Sequence, residues 1–465
     1  MVERQAVVVV VTKSQQMRNQ ILLSLITLLI SQITIAQNDT TDVYKKRVLA
    51  SNEIDFMYSY YTQDGNNAAV SGGIGTEKLT DAVPTIIIAI PVNDDDVLTI
   101  DAAVSAYTSA SSSNINPFDG TQSADPFLAT SGASGSDTWV NVNGSYSHSS
   151  DDRNKIWSAK ASIATEYDYF SAGVGGTYTQ LFNKKNTEIT AKANIFIDSW
   201  TTIYPIELRP FENNRNERGI TALNNRVISG ALYSPNFDGF SNTGRNSYSA
   251  GLTLIQILSK KIQGALLVDL VYQQGLLSTP FQRVYFSDVD SSFIGNFRLA
   301  DDIERLPGSR FKTALGGRLN YYVNEHIVLK TFYRFYNDDW GVASHTVSLD
   351  VPVKIGKGFT LYPGFRFYNQ SAASYFAPYA KHLSTDEFYT SDFDLSEYNS
   401  KQYSFGISYT DVFTKKQIWR YGLKSIDLKY SLYERNTGLK ASLISFGVKF
   451  VLDKKKTGLI KTQSE

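Results

Sequence analysis

Six cations between Arg310 and Asn369 fall on one parity of the chain: Lys312, Arg318, Lys330, Arg334, Lys354 and Arg366. Within the strand segments Asp350 is the acid that shares it. Long cations gathered along one wall could guide an anion, because a clustered positive strip raises the local anion concentration and lowers the barrier to passage. The same residues also suit an ordinary hydrated pore lining. On that reading they are neutralised by loop carboxylates and by Glu53, Asp55, Asp101, Glu166 and Asp168, on or beside the earlier strands. Both readings stand at this point.

Other reactive side chains form no complete constellation. Ser287–Phe293, SDVDSSF, and the nearby Asp301-Asp302 space carboxylates somewhat as a calcium loop does. The later bidentate Glu is missing, and a solvated or salt-bridged loop is the simpler reading. Ser344 and His345 adjoin, but a hydrolase needs Ser, His and an orienting group that face one another. His148, His326 and His382 are scattered among turns and loops, and no nucleophile elbow or HExxH occurs. With no cysteine there are no disulfides, no thiol nucleophile and no Cys-based zinc site. The expectation is a protein that is not an enzyme and needs no cofactor or metal.

The elements that position the cations announce themselves by a two-residue period, the signature of strands. Phe311, Leu315, Leu319 and Tyr321 alternate with Lys312, Arg318 and Asn320, and Ile327, Leu329, Tyr333 and Phe335 with Lys330 and Arg334. Val347, Leu349, Val351, Val353 and Ile355 oppose Thr346, Ser348, Asp350 and Lys354. Phe359, Leu361, Phe365 and Phe367 oppose Thr360, Arg366 and Tyr368. A soluble sandwich also alternates, but long cations on the polar face and connections that are short and long in turn read as a transmembrane barrel.

Similar segments recur from Asn52 to Leu452, about sixteen of them. The connections after even-numbered strands are short: NDDD, SSDDRN, NKKN, LSKK, NEH and GKG. The long ones, from Thr108, Asp198, Gly275 and Ser371, follow odd strands. We therefore expect an all-β, antiparallel, up-and-down transmembrane β-barrel with long extracellular loops and short periplasmic turns. Pro84, Pro91, Pro352 and Pro363 strain this reading and should mark bulges or strand ends. Trp340 and the tyrosines at strand ends are expected as interface anchors.

Composition agrees. Tyr 29 and Phe 26 exceed what a soluble domain of this size needs, whereas membrane barrels use aromatics at both interfaces. A net charge of +0 argues against a nucleic-acid partner. Residues 17–36 read as a signal peptide: Arg18, then an apolar run, ending at Ala36. Residues 1–16 read as a gene-start artefact, with translation from Met17. Residues 37–51 read as a periplasmic lead, 52–452 as the barrel and 453–465 as a polar periplasmic tail. With no room for an N-terminal plug, the lumen is expected to be filled, if at all, by loops. The partner implied by the fold is outer-membrane lipid.

Three motifs carry a resemblance: RVYFSDVDSSF at 283–293, ERLPGSRFKTALGGRLNYYV at 304–323 and FYRFYNDDWGVASHTVSLDVP at 332–352. They resemble an uncharacterised, numbered domain-of-unknown-function family of exported Gram-negative proteins, and the IAQ ending of the signal is similar to those of Bacteroidetes. The resemblance implies an outer-membrane barrel without assigned activity. It also implies a setting beside lipoproteins, thioredoxin-like proteins and flavin-attaching enzymes, hence redox partners in the envelope. It supplies no catalytic residues. A conduit for a small solute is the leading reading, a scaffold for redox partners the alternative, and an outer-membrane enzyme the third.

Overall fold

The computed structural model describes residues 47–108, 136–212, 216–227, 229–235 and 237–452. The expected signal peptide, the segment before it, most of the expected lead, the loop after residue 108 and the expected tail lie outside these residues.

The alternating segments form a closed ring of sixteen antiparallel strands. They are β1 (Glu53–Asp64), β2 (Leu79–Pro91), β3 (Asp96–Thr108), β4 (Ser136–Ser149), β5 (Lys155–Thr165), β6 (Tyr169–Phe182), β7 (Thr187–Trp200) and β8 (Gly244–Ile257). Then come β9 (Ile262–Gly275), β10 (Ser309–Tyr322), β11 (Val328–Asp338), β12 (Ala343–Asp350, resuming at Val353–Ile355) and β13 (Phe359–Leu361, resuming at Gly364–Gln370). The last are β14 (Tyr398–Thr410), β15 (Tyr421–Arg435) and β16 (Lys440–Leu452). Each pairs with its neighbours in sequence, and β16 pairs back onto β1 from Val451 opposite Glu53 to Lys440 opposite Asp64. Closure leaves no edge with unpaired amides, a condition that lipid imposes on any spanning sheet.

Residues directly opposite across an antiparallel pair point to the same face, so register carries parity around the ring. Phe56 opposes Ile86, Ile86 opposes Ala102, and Ala102 opposes Val142. At the seam Phe446 opposes Tyr58, which restores the starting face. One face therefore gathers Phe56, Leu252, Leu266, Val347 and Phe405, all exposed. A contiguous apolar surface of this extent is stable against lipid, not water. Aromatics cluster towards both rims of that face: Tyr248 stacks on Tyr272, and Trp157 lies against Tyr146 and His148 at the other end.

The prolines sit where expected. Pro352 and Pro363 occupy facing interruptions in β12 and β13, where the Val351 amide donates to the Pro363 carbonyl. Val83 and Pro84 have no partner in β3, although Pro84 still opposes Tyr58 of β1. The tight turn between β12 and β13 uses Gly356 at φ 63° and Gly358 at φ 91°, left-handed backbone that favours glycine.

Two expectations need correction. Long connections do lie at one end of the ring, but that end also has short ones after β5, β11 and β15, while the opposite end has one longer loop, 411–420. In that loop the Asp411 carboxylate accepts the amides of Phe413 and Lys416, and Lys416 lies 4.9 Å from the centre of the outward Tyr409 ring. Trp340 is no interface anchor. It is buried at the long-loop end, with Nε1 donating to the Ser309 carbonyl and the Arg310 guanidinium 4.2 Å from its ring centre.

Candidate functional site

Four of the long loops fold together. Residues 65–78, 201–243, 276–308 and 371–397 leave the same end of the ring after β1, β7, β9 and β13. Strands eight places apart in a ring of sixteen are diametrically opposed, yet the loops after β1 and β9 meet: Arg283 Nη1 donates to the Val70 carbonyl at 3.2 Å. The same guanidinium pairs with Glu207 of the β7–β8 loop at 2.7 Å, both side chains fully buried. Paired backbone hydrogen bonds between Arg305 and Tyr389 tie in the β13–β14 loop. The loops therefore arch across the mouth.

This cap has an apolar centre of its own, built from Tyr204, Leu208, Phe211, Leu223, Tyr233, Phe237, Tyr285, Phe297, Leu299 and Ile303. Each large side chain buried there contributes roughly 1.5–3 kcal/mol. Leu223 is delivered by the α-helix α1 (Glu217–Asn224), the one α-helix of the cap among the described residues, whose first turn is capped by Asn216 accepting from the Gly219 amide.

Buried charge is matched almost residue by residue. Asp301 pairs with Arg298 at 3.0 Å and accepts the Phe286 amide, and Asp302 pairs with Arg305 and accepts the Tyr389 hydroxyl. Asp288 accepts from the amide and hydroxyl of Ser384. Asp288, Asp301 and Asp302 of the calcium-like stretch are thus committed to arginines and local donors. Among the described residues Glu304 has no cation partner; it accepts the Thr279 amide and the Thr390 hydroxyl, and burial with Asp392 nearby pushes its carboxyl up to about 8. Burial raises Asp301 to about 6, and burial with Asp394 beside it raises Asp392 to about 6. His382 is buried in the cap with Nε2 against the Thr390 carbonyl, and burial lowers its pKa.

Below the cap, register assembles the six cations. Arg318 opposes Phe332, Phe332 opposes Ser348, Ser348 opposes Arg366, Arg366 opposes Gln402 and Gln402 opposes Tyr433. This is one row along the inner wall. Arg334 lies one inward position nearer the cap, opposite Thr346, and Lys330 one position farther, opposite Asp350. Lys354 opposes Thr360 towards the short-turn end, and Lys312 opposes Asp338 towards the cap. All but the half-buried Lys312 are exposed on the inner face.

Elsewhere on that face several cations are neutralised: Lys449 by Glu53 at 2.9 Å and Asp55 at 3.0 Å, Lys424 by Glu53, Lys192 by Asp269 and Arg245 by Asp198, while Lys160 and Lys429 have no carboxylate oxygen within 4.0 Å among the described residues. Asp338 is taken by Arg310, and Asp101 accepts from Asn143. Among the described residues none of the six strip cations has a carboxylate oxygen within 4.0 Å. Arg318 instead lies over the Phe332 ring at 5.7 Å. Glu166 and Asp168, in the β5–β6 turn, hold their carboxyls high through burial, not through a bond to the strip.

The histidines do not converge. Ser344 belongs to the inner face while His345 turns outward to the Tyr333 hydroxyl at 2.8 Å, and His148 pairs with Asp96 at the short-turn end.

The cap went unread in the sequence because its loops carry no period. The available signal was composition: Leu208, Phe211, Leu223, Tyr233 and Phe237 are too apolar for a loop in water.

Among solved structures, the chain is similar in outline to a bacterial polysaccharide outer membrane secretin (9% identity, 86% of this chain and 98% of that one, TM-score 0.40). It is similar also to a TodX monoaromatic hydrocarbon channel mutant (11%, 87% and 91%, TM-score 0.40) and to a BenF-like porin from Pseudomonas fluorescens (8%, 86% and 98%, TM-score 0.37). Overlaps this loose carry no argument about cargo. No curated protein matches the chain. The sequence itself, over residues 20–439, matches one family, so the chain belongs to the proteins of unknown function grouped as DUF3570.

Proposed function

We propose that this protein is an outer-membrane conduit for small anionic solutes, closed at rest by its own cap and opened by a solute or a partner. The observation that carries the reading is the unpaired basic wall. A lumen that merely needed polarity would spread and pair its cations, as it does Lys449, Lys424, Lys192 and Arg245, whereas here six gather unpaired on four adjacent strands. Left unpaired beside low-dielectric strands, they create a positive potential of order kT along the path. The cap supports gating, because loops from opposite sides of the ring are joined through Arg283.

Planar-bilayer recording in a salt gradient tests this. The wild type should pass a small, anion-selective current whose selectivity weakens as salt is added, since screening shortens to about 3 Å at 1 M. Arg318→Gln with Arg334→Gln should move the reversal potential towards cations. Arg283→Ala, which strands a buried Glu207, should loosen the cap and enlarge the current. A cation-selective wild type refutes the anionic reading. Silence from both the wild type and Arg283→Ala favours the alternative, a scaffold that docks envelope redox partners. That alternative draws on the family resemblance and on no residue of the wall or cap.

A further inference from the structure

A cavity of about 570 Å³ lies where the cap meets the inner wall. That falls within the roughly 300–1,000 Å³ typical of small-molecule sites. Its floor is the inner face of β13 to β16 and β1, with Arg366, Gln402, Ser431, Tyr433 and Gln63; its roof is the cap, with Phe281, Gln282, Asp392 and Asp394. Phe281 leaves the ring after β9 and reaches the wall on the far side.

Most polar groups here are already engaged. Gln63 accepts from the Tyr61 hydroxyl and donates to the Glu77 carbonyl. Asp394 pairs with Arg435 at 2.8 Å, and Asp392 accepts the Asp394 amide and the Gln282 side chain. Others are left over: among the described residues neither the Arg366 guanidinium nor the Gln402 carboxamide has a hydrogen-bond partner, and the Ser431 and Ser442 hydroxyls are also unengaged. They are direct neighbours across β13 and β14, and Gln402 is in turn the neighbour of Tyr433 on β15. The Tyr433 oxygen accepts from Arg435, which leaves its O–H free to donate. Cross-strand neighbours stand about 5 Å apart, so guanidinium, amide and phenol make a line of about 10 Å.

We propose that this cavity is a binding site for a small hydroxylated carboxylate, of the sugar-acid class. The carboxylate sits on the Arg366 fork, as planar bidentate recognition favours. Hydroxyls meet Gln402 and Tyr433 along the line, and the carboxyls of Asp392 and Asp394 accept from those on the roof side. Phe281 covers the C–H face. The cation on the floor and the acids on the roof fix which end of the solute points where. This deepens the conduit reading and rests on it for its role as a loading point, though binding can be measured without conduction.

The test is isothermal titration of the full chain in detergent with glucuronate, glucose and inorganic phosphate as probes. Glucuronate should bind, and glucose should bind at least about tenfold more weakly, the value of one charge-assisted hydrogen bond. Arg366→Gln should weaken glucuronate by about tenfold or more, and Gln402→Leu by a smaller factor. Lys160→Gln, on the inner wall of β5, should leave binding unchanged. Heat-modifiable gel mobility establishes that each variant is folded. Glucuronate that fails to bind, binds no better than glucose, or is indifferent to Arg366→Gln overturns the site. Phosphate that matches glucuronate and ignores Gln402→Leu reduces it to a bare anion site and overturns the hydroxylated class. Anion current without glucuronate binding rejects the site and keeps the conduit; glucuronate binding without current does the reverse.

Discussion

Ser348 and Leu349 are adjacent in sequence and face different media. Ser348 sits between Phe332 and Arg366 on the inner row, whereas Leu349 opposes Thr331 and Phe365 on the lipid face. Leu349→Arg should therefore impair assembly much more than Ser348→Arg, since a cation near the bilayer midplane costs roughly 2–4 kcal/mol and the lumen hydrates it. Heat-modifiable mobility reports the difference, and equal tolerance at the two positions would contradict the assigned parity. This level of the structure was legible in the sequence, because facing depends only on a two-residue period. The parity of Lys312, Arg318, Lys330, Arg334, Lys354 and Arg366 follows from it directly. What parity cannot convey is who neutralises whom. That Glu53 is spent on Lys424 and Lys449, and so leaves the strip bare, depends on the closure of β16 onto β1. Trp340 was misjudged for a related reason: an aromatic at a strand end looks alike whether lipid or a folded loop covers it.

Among the elements, the cap is the one whose stability should change with pH. Glu304 holds its proton up to about 8, and Asp301 and Asp392 up to about 6, all because burial disfavours the charged form. These folded values lie above those of the unfolded chain, so the folded cap binds more protons between them. Its stability is fullest below about pH 4 and falls as pH rises through 6 and then 8. Limited proteolysis of the loops should accordingly quicken from pH 5 to pH 8. Glu304→Gln, whose amide can donate to Thr390 and accept from Thr279, should flatten the upper part of that profile while the step near 6 remains. Unchanged steepness above pH 7 in Glu304→Gln would show that Glu304 does not control the cap. The sequence displayed the strands and hid the cap because strands repeat, whereas loop packing depends on contacts between segments far apart in the chain, such as Arg283 with Val70.

At the scale of the molecule, sixteen strands with the cap at one end set a direction in the membrane. Cysteines placed at the exposed Ala222 and Ser384 should react with an impermeant reagent on intact cells, and those at Lys260 and Lys357 should not. The opposite pattern would invert the barrel. Most of this architecture was readable from alternation and from the placement of the long connections; the short turns after β5, β11 and β15 were harmless exceptions, since ring topology requires only that strands alternate in direction. The diametral contact between the loops after β1 and β9 has a consequence in time. Those loops are far apart until the sheet has curled and β16 has met β1, so the cap cannot form on a partly assembled barrel. Until then Phe211, Tyr233, Tyr285 and Phe297 lack their partners and remain available to chaperones and proteases. Burial of the Arg283–Glu207 pair would thus be the last event of biogenesis, and a resistant cap is the mark of a barrel that has closed.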